Sequence, residues 1–366
     1  MNLKSRMAEL REYQSGDEDR IIELFRKTYG KEMDHNCGDL EHWNWEFGGE
    51  PGAAKYIVLA TSGEAVIGQY AVIPRRMWIG GKEVRGSLSL DTMIDAEYRR
   101  QCLFPKMGRR LYKRLSEEGV TVTYGFPNEN SINSIVKKLG WKELFVLPVA
   151  VAPLRPFRIV AGRYRALRTL TPLGDAAFAG LREIFSAIRE LLPYRVAEVP
   201  IHFGSDFDRL WERSRTTLRI AAVRDAAFLD WRFAKRPNMP YRLVTATDSD
   251  GHLAGYLVFR LMDYKGMLTC FIMDLLADEN KRTAPWALLA EALAISGREG
   301  GEIASAILPR SHRYFPWVLA AGFVPLPERL FPDEIHIGAL AHDSAIESIV
   351  LNHEAWFLSW ADTDLV

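Results

Sequence analysis

One set of landmarks occurs twice in this chain, and that repetition limits its fold more than any other feature. His42-Trp43-Asn44-Trp45-Glu46-Phe47 is answered by Phe228-Leu229-Asp230-Trp231-Arg232-Phe233, with Trp231 lying 186 residues after Trp45. Pro51 and Pro237 share that spacing, Gly63 and Gly251 lie 188 apart, and Gly68 and Gly255 lie 187 apart. Further on, Asp91 matches Asp274, Gly140-Trp141 matches Gly322-Phe323 and Leu144-Phe145 matches Leu330-Phe331, at spacings of 183, 182 and 186. Loop insertions and deletions produce a drift of this size. Two copies of one unit are therefore expected.

Each copy alternates helix and strand. Residues 17–29 place Ile21, Ile22, Leu24 and Phe25 behind an acidic first turn, as suits a helix dipole, and residues 43–47 read as a short second helix. Three strands follow in succession, and two helix–strand units close the copy. Runs of strands with helices before and after them predict a mixed sheet, so the fold class is α/β (α+β) with two mixed-sheet lobes in tandem. The expected division is residues 1–154, a helical connector at 155–199, a second lobe at 200–340 and a tail at 341–366 packed on the body.

At 366 residues the chain has material for more than one core. Lys+Arg and Asp+Glu both number 47, so no global basic field draws in nucleic acid and any phosphate recognition is local. The three cysteines, Cys37, Cys102 and Cys270, have no metal or disulfide spacing, which predicts neither a metal centre nor a disulfide framework. His35 and His42, near Glu32, Asp34 and Asp39, fit no common ligand pattern and read as a solvated loop over the cleft. Trp43 and Trp45 read as core aromatics. The N-terminal residues are charged, and the longest apolar run, residues 144–154, is interrupted by two prolines and too short to span a bilayer. A cytoplasmic protein without membrane partners is expected.

Residues 91–141 are the place to look for chemistry. A strand at 88–95 empties into Tyr98-Arg99-Arg100-Gln101-Cys102-Leu103-Phe104, and Pro105 suits the first turn of the next helix. Main-chain N–H groups of residues 100–104 would face an anion at that helix start, with Arg99 and Arg100 adding charge. Arg109, Arg110, Lys113 and Arg114 would extend the basic surface. A strand at 120–126 and then Phe126-Pro127-Asn128 complete the stretch.

These residues resemble the Gcn5-related N-acetyltransferase (GNAT) superfamily, whose acyl-CoA loop reads Arg/Gln-x-x-Gly-x-Gly/Ala. Ile94-Asp95-Ala96-Glu97-Tyr98-Arg99 is similar to the family's Val-x-Pro-x-Tyr-Arg, and Tyr124-Gly125-Phe126-Pro127-Asn128-Glu129-Asn130-Ser131 and Lys138-Leu139-Gly140-Trp141 match its later elements. The resemblance covers roughly residues 8–152, and two such copies look like the tandem acetyltransferases of bacteria. It implies acetyl-CoA as co-substrate and an amine acceptor, with a homodimer possible. It places the pyrophosphate on Arg99, Arg100, Gln101, Cys102, Leu103 and Phe104, the thioester carbonyl against main-chain N–H near Met93 or Ile94, and the pantetheine against Asn128 and Ser131. Asp91 is the candidate base and Tyr124 a substitute acid.

The pattern departs from the family in two places. Cys102 stands where the loop usually has glycine, and its Cβ is expected to restrict positive φ. Val136 stands where the family often carries a tyrosine. Cys102 has no recognisable histidine partner and is not expected to be a nucleophile. The second copy's counterpart, residues 277–286, has no glycine and two leading acids, and reads as a degenerate copy that shapes the cleft. Two other functions stay open: a non-catalytic acyl-CoA sensor or scaffold, and a tRNA-dependent aminoacyl transferase built on two such lobes.

Overall fold

The computed structural model describes residues 7–30, 39–49, 54–163, 171–307, 309, 311–327 and 335–363. The first copy comprises β1 (Glu9–Glu12), α1 (Glu18–Tyr29), α2 (Leu40–Gly48), β2 (Tyr56–Ser62), β3 (Ala65–Ile79), β4 (Lys82–Ile94), α3 (Leu103–Glu117), β5 (Val122–Gly125), α4 (Glu129–Leu139), β6 (Lys142–Val146) and β7 (Val149–Pro153). The connector holds α5 (Pro156–Arg163) and α6 (Thr171–Glu190). The second copy comprises β8 (Arg195–Val199), α7 (Ser205–Ser214), β9 (Ile220–Ala222), α8 (Ala226–Leu229), β10 (Arg242–Thr247), β11 (Leu253–Tyr264), β12 (Met267–Ala277), α9 (Ala284–Arg298), β13 (Ile303–Ile307), α10 (Phe315–Ala320), β14 (Val324–Pro325) and β15 (His336–Ala341). A last helix, α11 (Ser344–Val350), leads into the buried Trp356, Phe357 and Trp360.

Period-two alternation in the central strands makes both faces of the first sheet apolar. Tyr56, Val58, Tyr70 and Val72 pack under α3 and α4, while Ile57, Leu59, Ala71 and Ile73 pack under α1 and α2. Both sheets are mixed, as the order of elements predicts. The first has β4 and β5 parallel and its other ladders antiparallel, and the second repeats this with β12 and β13.

The sheets do not divide where the copies divide. The first runs β1-β2-β3-β4-β5-β15-β6 and the second runs β14-β7-β13-β12-β11-β10-β8. Each copy has given its last strand to the other sheet, so a boundary at residue 154 or 340 cuts neither lobe cleanly. Pro148 supplies the local reason. Only Leu147 and Pro148 separate β6 from β7, and a residue before proline is held extended, so the chain continues across instead of folding back as a hairpin. Ile220–Ala222 of the second copy also pairs with Met77–Ile79 at the end of β3.

The repeat is visible as a two-fold contact at the centre of the molecule. Trp45 and Trp231 stack with ring centroids 5.0 Å apart and planes 8° from parallel. Each indole N–H donates to the other residue's carbonyl, Trp45 Nε1 at 2.7 Å and Trp231 Nε1 at 3.0 Å. One continuous apolar core joins the two copies around this pair. The sequence reading of Trp43 as a core aromatic holds, but Trp45 does more than fill space.

Candidate functional site

β4 is held on one side only at its C-terminal end. Its parallel pairing with β5 stops at Ser89↔Gly125, whereas its pairing with β3 continues to Ile94. The cause is a bulge. Ala71 pairs with Leu90 and Gln69 with Met93, so Asp91 and Thr92 together oppose Tyr70. Asp91 takes φ +46°, and the buried Gln69 amide donates to its carbonyl at 3.1 Å. A short polar side chain tolerates that conformation, and the extra residue bends the strand away from its neighbour.

At the end of the splayed strand a 3-10 turn, Ala96–Gln101, carries the chain into α3. Asp95 caps this turn by accepting from Glu97 N–H, and Lys27 of α1 pins its carboxylate at 2.6 Å. Lys27 and that backbone bond outweigh burial and lower the Asp95 pKa. Arg99 and Arg100 are exposed, with no ion pair among the described residues. The wider basic helix face is a different matter. Arg110 and Arg114 reach Glu12, Arg114 also takes Glu118, and Arg109 donates to Lys138 O, so these charges are largely spent within the protein. Helix α3 starts at Leu103, two residues earlier than Pro105 suggests, and no side chain caps its first N–H groups.

Cys102 corrects one expectation. It occupies the left-handed region at φ 54°, ψ 37°, the conformation a glycine would take there, and its thiol is exposed. The loop thus keeps the shape that its Cβ was expected to forbid. The strain costs about 1–2 kcal/mol, partly offset by the smaller backbone entropy cysteine loses relative to glycine. Cys102→Gly should leave stability unchanged or raise it by about 1 kcal/mol, and Cys102→Val should lower it. Urea unfolding of the three proteins checks this, and equal stability of the Val variant would contradict the strained assignment.

Other nominated residues have local work. Asn128 caps α4 by accepting from Ser131 N–H and Ser131 Oγ, both at 3.0 Å, so the two side chains bind each other. Gln101 Oε1 accepts from Ala8 N–H at 3.4 Å. Leu103 is buried, and the Phe104 ring packs 5.6 Å from that of Tyr70. Tyr124 is buried between Phe126 and Trp356 and is not part of the cleft wall. Val136 packs against the α3 side of the core.

Asp91 opens onto a cleft on the opposite face of the sheet. Its walls are Ile73, Arg75 and Leu88 from the sheet, Phe25 from α1, and His42, Trp45 and Glu46 from α2. The second copy closes it with Trp231, Arg232, Arg236 and Thr363. Trp231 and Arg232 are presented by a π-helical turn, Asp230–Ala234, a distortion often found at functional sites. Arg75 lies over Trp231 and Arg236 over Trp45, at 4.5 and 5.0 Å, so the tryptophan stack is sandwiched between guanidinium groups. The expectation of a solvated loop fails for His42, which is buried on α2; His35 and Cys37 lie outside the described residues. The arginines were not nominated from sequence, since Arg75 sits in the middle of a strand and Arg232 has no arginine mate in the first copy.

Buried histidines set an acid limit on the fold. Burial, reinforced by the Arg236 charge, lowers His42 from 6.5 to about 4. Burial lowers His342 to about 4, and burial with Arg313 and Arg224 nearby lowers His312 to about 3. Unfolding returns each ring to about 6.5, so between roughly pH 6.5 and 4 the unfolded chain binds more protons. Stability is therefore full above that window and falls as pH drops through it. A thermal midpoint that declines across this range in scanning calorimetry is expected, and a flat one would show that the rings are not held neutral.

The second lobe carries the same bulged framework with the opening filled. Asp274, the mate of Asp91, is fully buried against Arg224. Ala277, three residues on as Ile94 is from Asp91, donates its N–H to Tyr314 Oη at 2.7 Å. Its carbonyl accepts from Tyr314, Arg313 and Ser214. Among the described residues no side chain takes up the main-chain groups of Ile94. The turn after β12 is equally closed, with Asp278 accepting from Arg213 at 2.6 Å and from Asn280 N–H at 3.0 Å. At the tip of the β10–β11 turn Asp248, Asp250 and His252 cluster. Asp248 accepts from both neighbours' N–H groups and pairs with Lys281, so it serves as turn and surface ion pair.

The first lobe thus combines a strand splayed by a bulge with a basic turn at a helix start. Residues 9–144, which carry both features, match the family model described as an acetyltransferase (GNAT) domain. A structure from Enterococcus faecalis described as a probable N-acyltransferase is 10% identical, with 92% of this chain and 73% of that one covered at a TM-score of 0.61. A GCN5-related N-acetyltransferase from Anabaena variabilis is 11% identical, with 92% and 73% covered at 0.62. An N-myristoyltransferase from Saccharomyces cerevisiae, solved with myristoyl-CoA, is 12% identical, with 93% and 80% covered at 0.57. At these identities the likeness is one of fold, and it extends over both lobes. No curated protein sequence matches the chain. None of the described helices is long and apolar enough to cross a membrane.

Proposed function

We propose that the first lobe transfers an acetyl group from acetyl-CoA to a primary amine by direct attack. The observation that carries this reading is the asymmetry at the end of β4: the main-chain groups plugged by Tyr314 in the second lobe are left to a ligand in the first. The pantetheine arm enters the gap between β4 and β5, with its pyrophosphate at the start of α3 beside Arg99 and Arg100. Main-chain N–H of Met93 or Ile94 polarises the thioester carbonyl. The amine reaches the carbonyl carbon from the cleft on the other side of the sheet and gives its proton to the Asp91 carboxylate. The C–N bond forms, the C–S bond breaks, and CoA leaves as its thiolate. A thiolate is a tolerable leaving group, so the reading does not depend on Tyr124 as acid. The second lobe acts by walling the acceptor cleft.

Calorimetry with acetyl-CoA and longer acyl-CoAs, together with a thiol-release assay over an amine panel, tests this. The longer chains are included because one structural neighbour holds myristoyl-CoA. Absence of acyl-CoA binding sinks the reading. Binding without turnover of any amine favours an acyl-CoA sensor. A tRNA-dependent transfer is disfavoured by the balanced charge and by cleft arginines that are buried instead of lining an open groove.

A further inference from the structure

A chain of buried hydroxyls ends at the point where β4 and β5 part. Trp141, Tyr112 and Tyr70 lie in the core between the first sheet and helices α3 and α4, and all three are buried. Trp141 Nε1 donates to Tyr112 Oη at 2.8 Å, and Tyr112 Oη is hydrogen-bonded to Tyr70 Oη. The next hydroxyl in line is that of Ser89. Burial raises the Tyr70 pKa to about 12, against the hydrogen bonds with Tyr112 and Ser89, so the phenol keeps its proton at neutral pH. The direction of the chain is fixed at its far end, because an indole N–H can only donate. Tyr112 accepts that proton, and among the described residues the acceptor for its own is Tyr70. Tyr70 in turn has Ser89 Oγ as its acceptor. The Ser89 proton is then turned outward, and among the described residues no acceptor takes it.

Ser89 is only partly buried, and it stands at the floor of the gap. Its pairing with Gly125 is the last between β4 and β5. A Cβ on residue 125 would lie 2.9 Å from Ser89 O and 3.3 Å from Trp141, so glycine there keeps the corner open. Leu88 lines the acceptor cleft, and the adjacent Ser89 faces the α3 side of the sheet with Tyr70. Ile94, Phe104 and Val136, part-buried on the same core, carry no side-chain donor. We propose that the Ser89 hydroxyl donates a hydrogen bond to the thioester sulfur of acyl-CoA as it becomes a thiolate, and that Tyr70 and Tyr112 are positioning residues that hold the Ser89 O–H in that direction. The assignment rests on the acyl-transfer reading. In that reading the pyrophosphate lies on the α3 side of the sheet and the amine arrives from the opposite face, so the C–S bond breaks toward Ser89. The electron pair goes to sulfur. The serine keeps its proton, since an alcohol is a far weaker acid than a thiol of pKa about 8.5, and the thiolate gains its own from water after release. A hydrogen bond to charged sulfur is stronger than one to the neutral thioester, so it acts in the transition state.

Titration of the CoA thiol in its complex tests this without any acceptor amine. Thiolate absorbance of bound CoA is followed against pH, with the CoA-free protein subtracted, for wild type and for Ser89→Ala, and cooperative melting shows that the variant is folded. Wild type should hold the thiol at least about tenfold more acidic than Ser89→Ala does, the size expected for one charge-assisted hydrogen bond. Ser89→Thr should keep the effect. Tyr70→Phe should lose most of it although Ser89 is intact, an outcome that a purely structural role for the tyrosine does not produce. In turnover, Ser89→Ala should lower kcat at least about tenfold, with KM for acyl-CoA little changed. Equal thiol acidity in wild type and Ser89→Ala would overturn the inference while leaving acyl transfer intact. Wild-type acidity in Tyr70→Phe would refute the directing role of the tyrosines. Failure of the wild-type protein to bind CoA at all would sink the acyl-transfer reading, and this inference with it.

Discussion

Replacing Arg224 with alanine is expected to lower the unfolding free energy by about 3–5 kcal/mol, the cost of leaving a buried charge without its partner. Arg224 is the hub of a fully buried network. Its Nε faces both Asp274 oxygens at 3.1 and 3.2 Å, Nη2 meets Asp362 Oδ2 at 2.5 Å, and Nη1 donates to Ala222 O at 2.8 Å. Tyr256 Oη and Ser359 Oγ add donors to Asp274 at 2.7 and 2.8 Å. Burial works against the Arg224 charge, but the two carboxylates prevail and raise its pKa. Without the guanidinium, Asp274 and Asp362 would share one dry site as like charges. The network also fastens the C-terminal segment, which carries Thr363 to the cleft, onto the second lobe. Exposed pairs such as Lys113–Glu117 should by contrast contribute less than about 1 kcal/mol. Denaturant unfolding of Arg224→Ala beside Lys113→Ala measures both, and a loss near or below that of the surface variant would refute the role given to Arg224.

Reversing charge at Arg99 and Arg100 together should weaken acyl-CoA binding on the order of a hundredfold, since charge-assisted contacts to phosphate are worth roughly 1.5–3 kcal/mol each. Both side chains are exposed and make no ion pair among the described residues, so the fold should tolerate Arg99→Glu/Arg100→Glu, and thermal unfolding should confirm it. Salt should weaken wild-type binding more than variant binding, because screening acts on the contacts the variant has lost. As a control, Arg110→Glu on the same surface removes a charge already paired with Glu12, and its effect on affinity should be small. Equal affinity of wild type and the double variant would show that the pyrophosphate does not lie at this turn.

The duplicated fold was legible because its markers are residues that backbone geometry and packing demand. Gly63 and Gly251 both take positive φ in tight turns, and Trp45 and Trp231 meet across the pseudo-two-fold axis that the repeat implies. Helix α1 was readable from its acidic start and its apolar stripe. The turn after β4 was readable from its arginines and from the helix that follows. The cleft was not. His42 looks like a loop residue until α2 buries it, and Arg75 looks like one more residue in a long strand. Asp91 was nominated for its place on the central strand, but nothing local announces the positive φ that sets it at the bulge.

What the sequence determined by itself is a doubled α/β framework with its basic turn in one copy only. Patterning, turn residues and spacing are local properties, and they suffice for that. What only the tertiary structure decided is how the copies combine. They exchange their last strands across Pro148, stack their tryptophans, and bring Arg232, Arg236 and Thr363 from the far end of the chain to Asp91. Contacts between residues so distant in sequence carry no periodicity to read. They arise because two sheets must each bury both faces, and each completes itself with the other's strand.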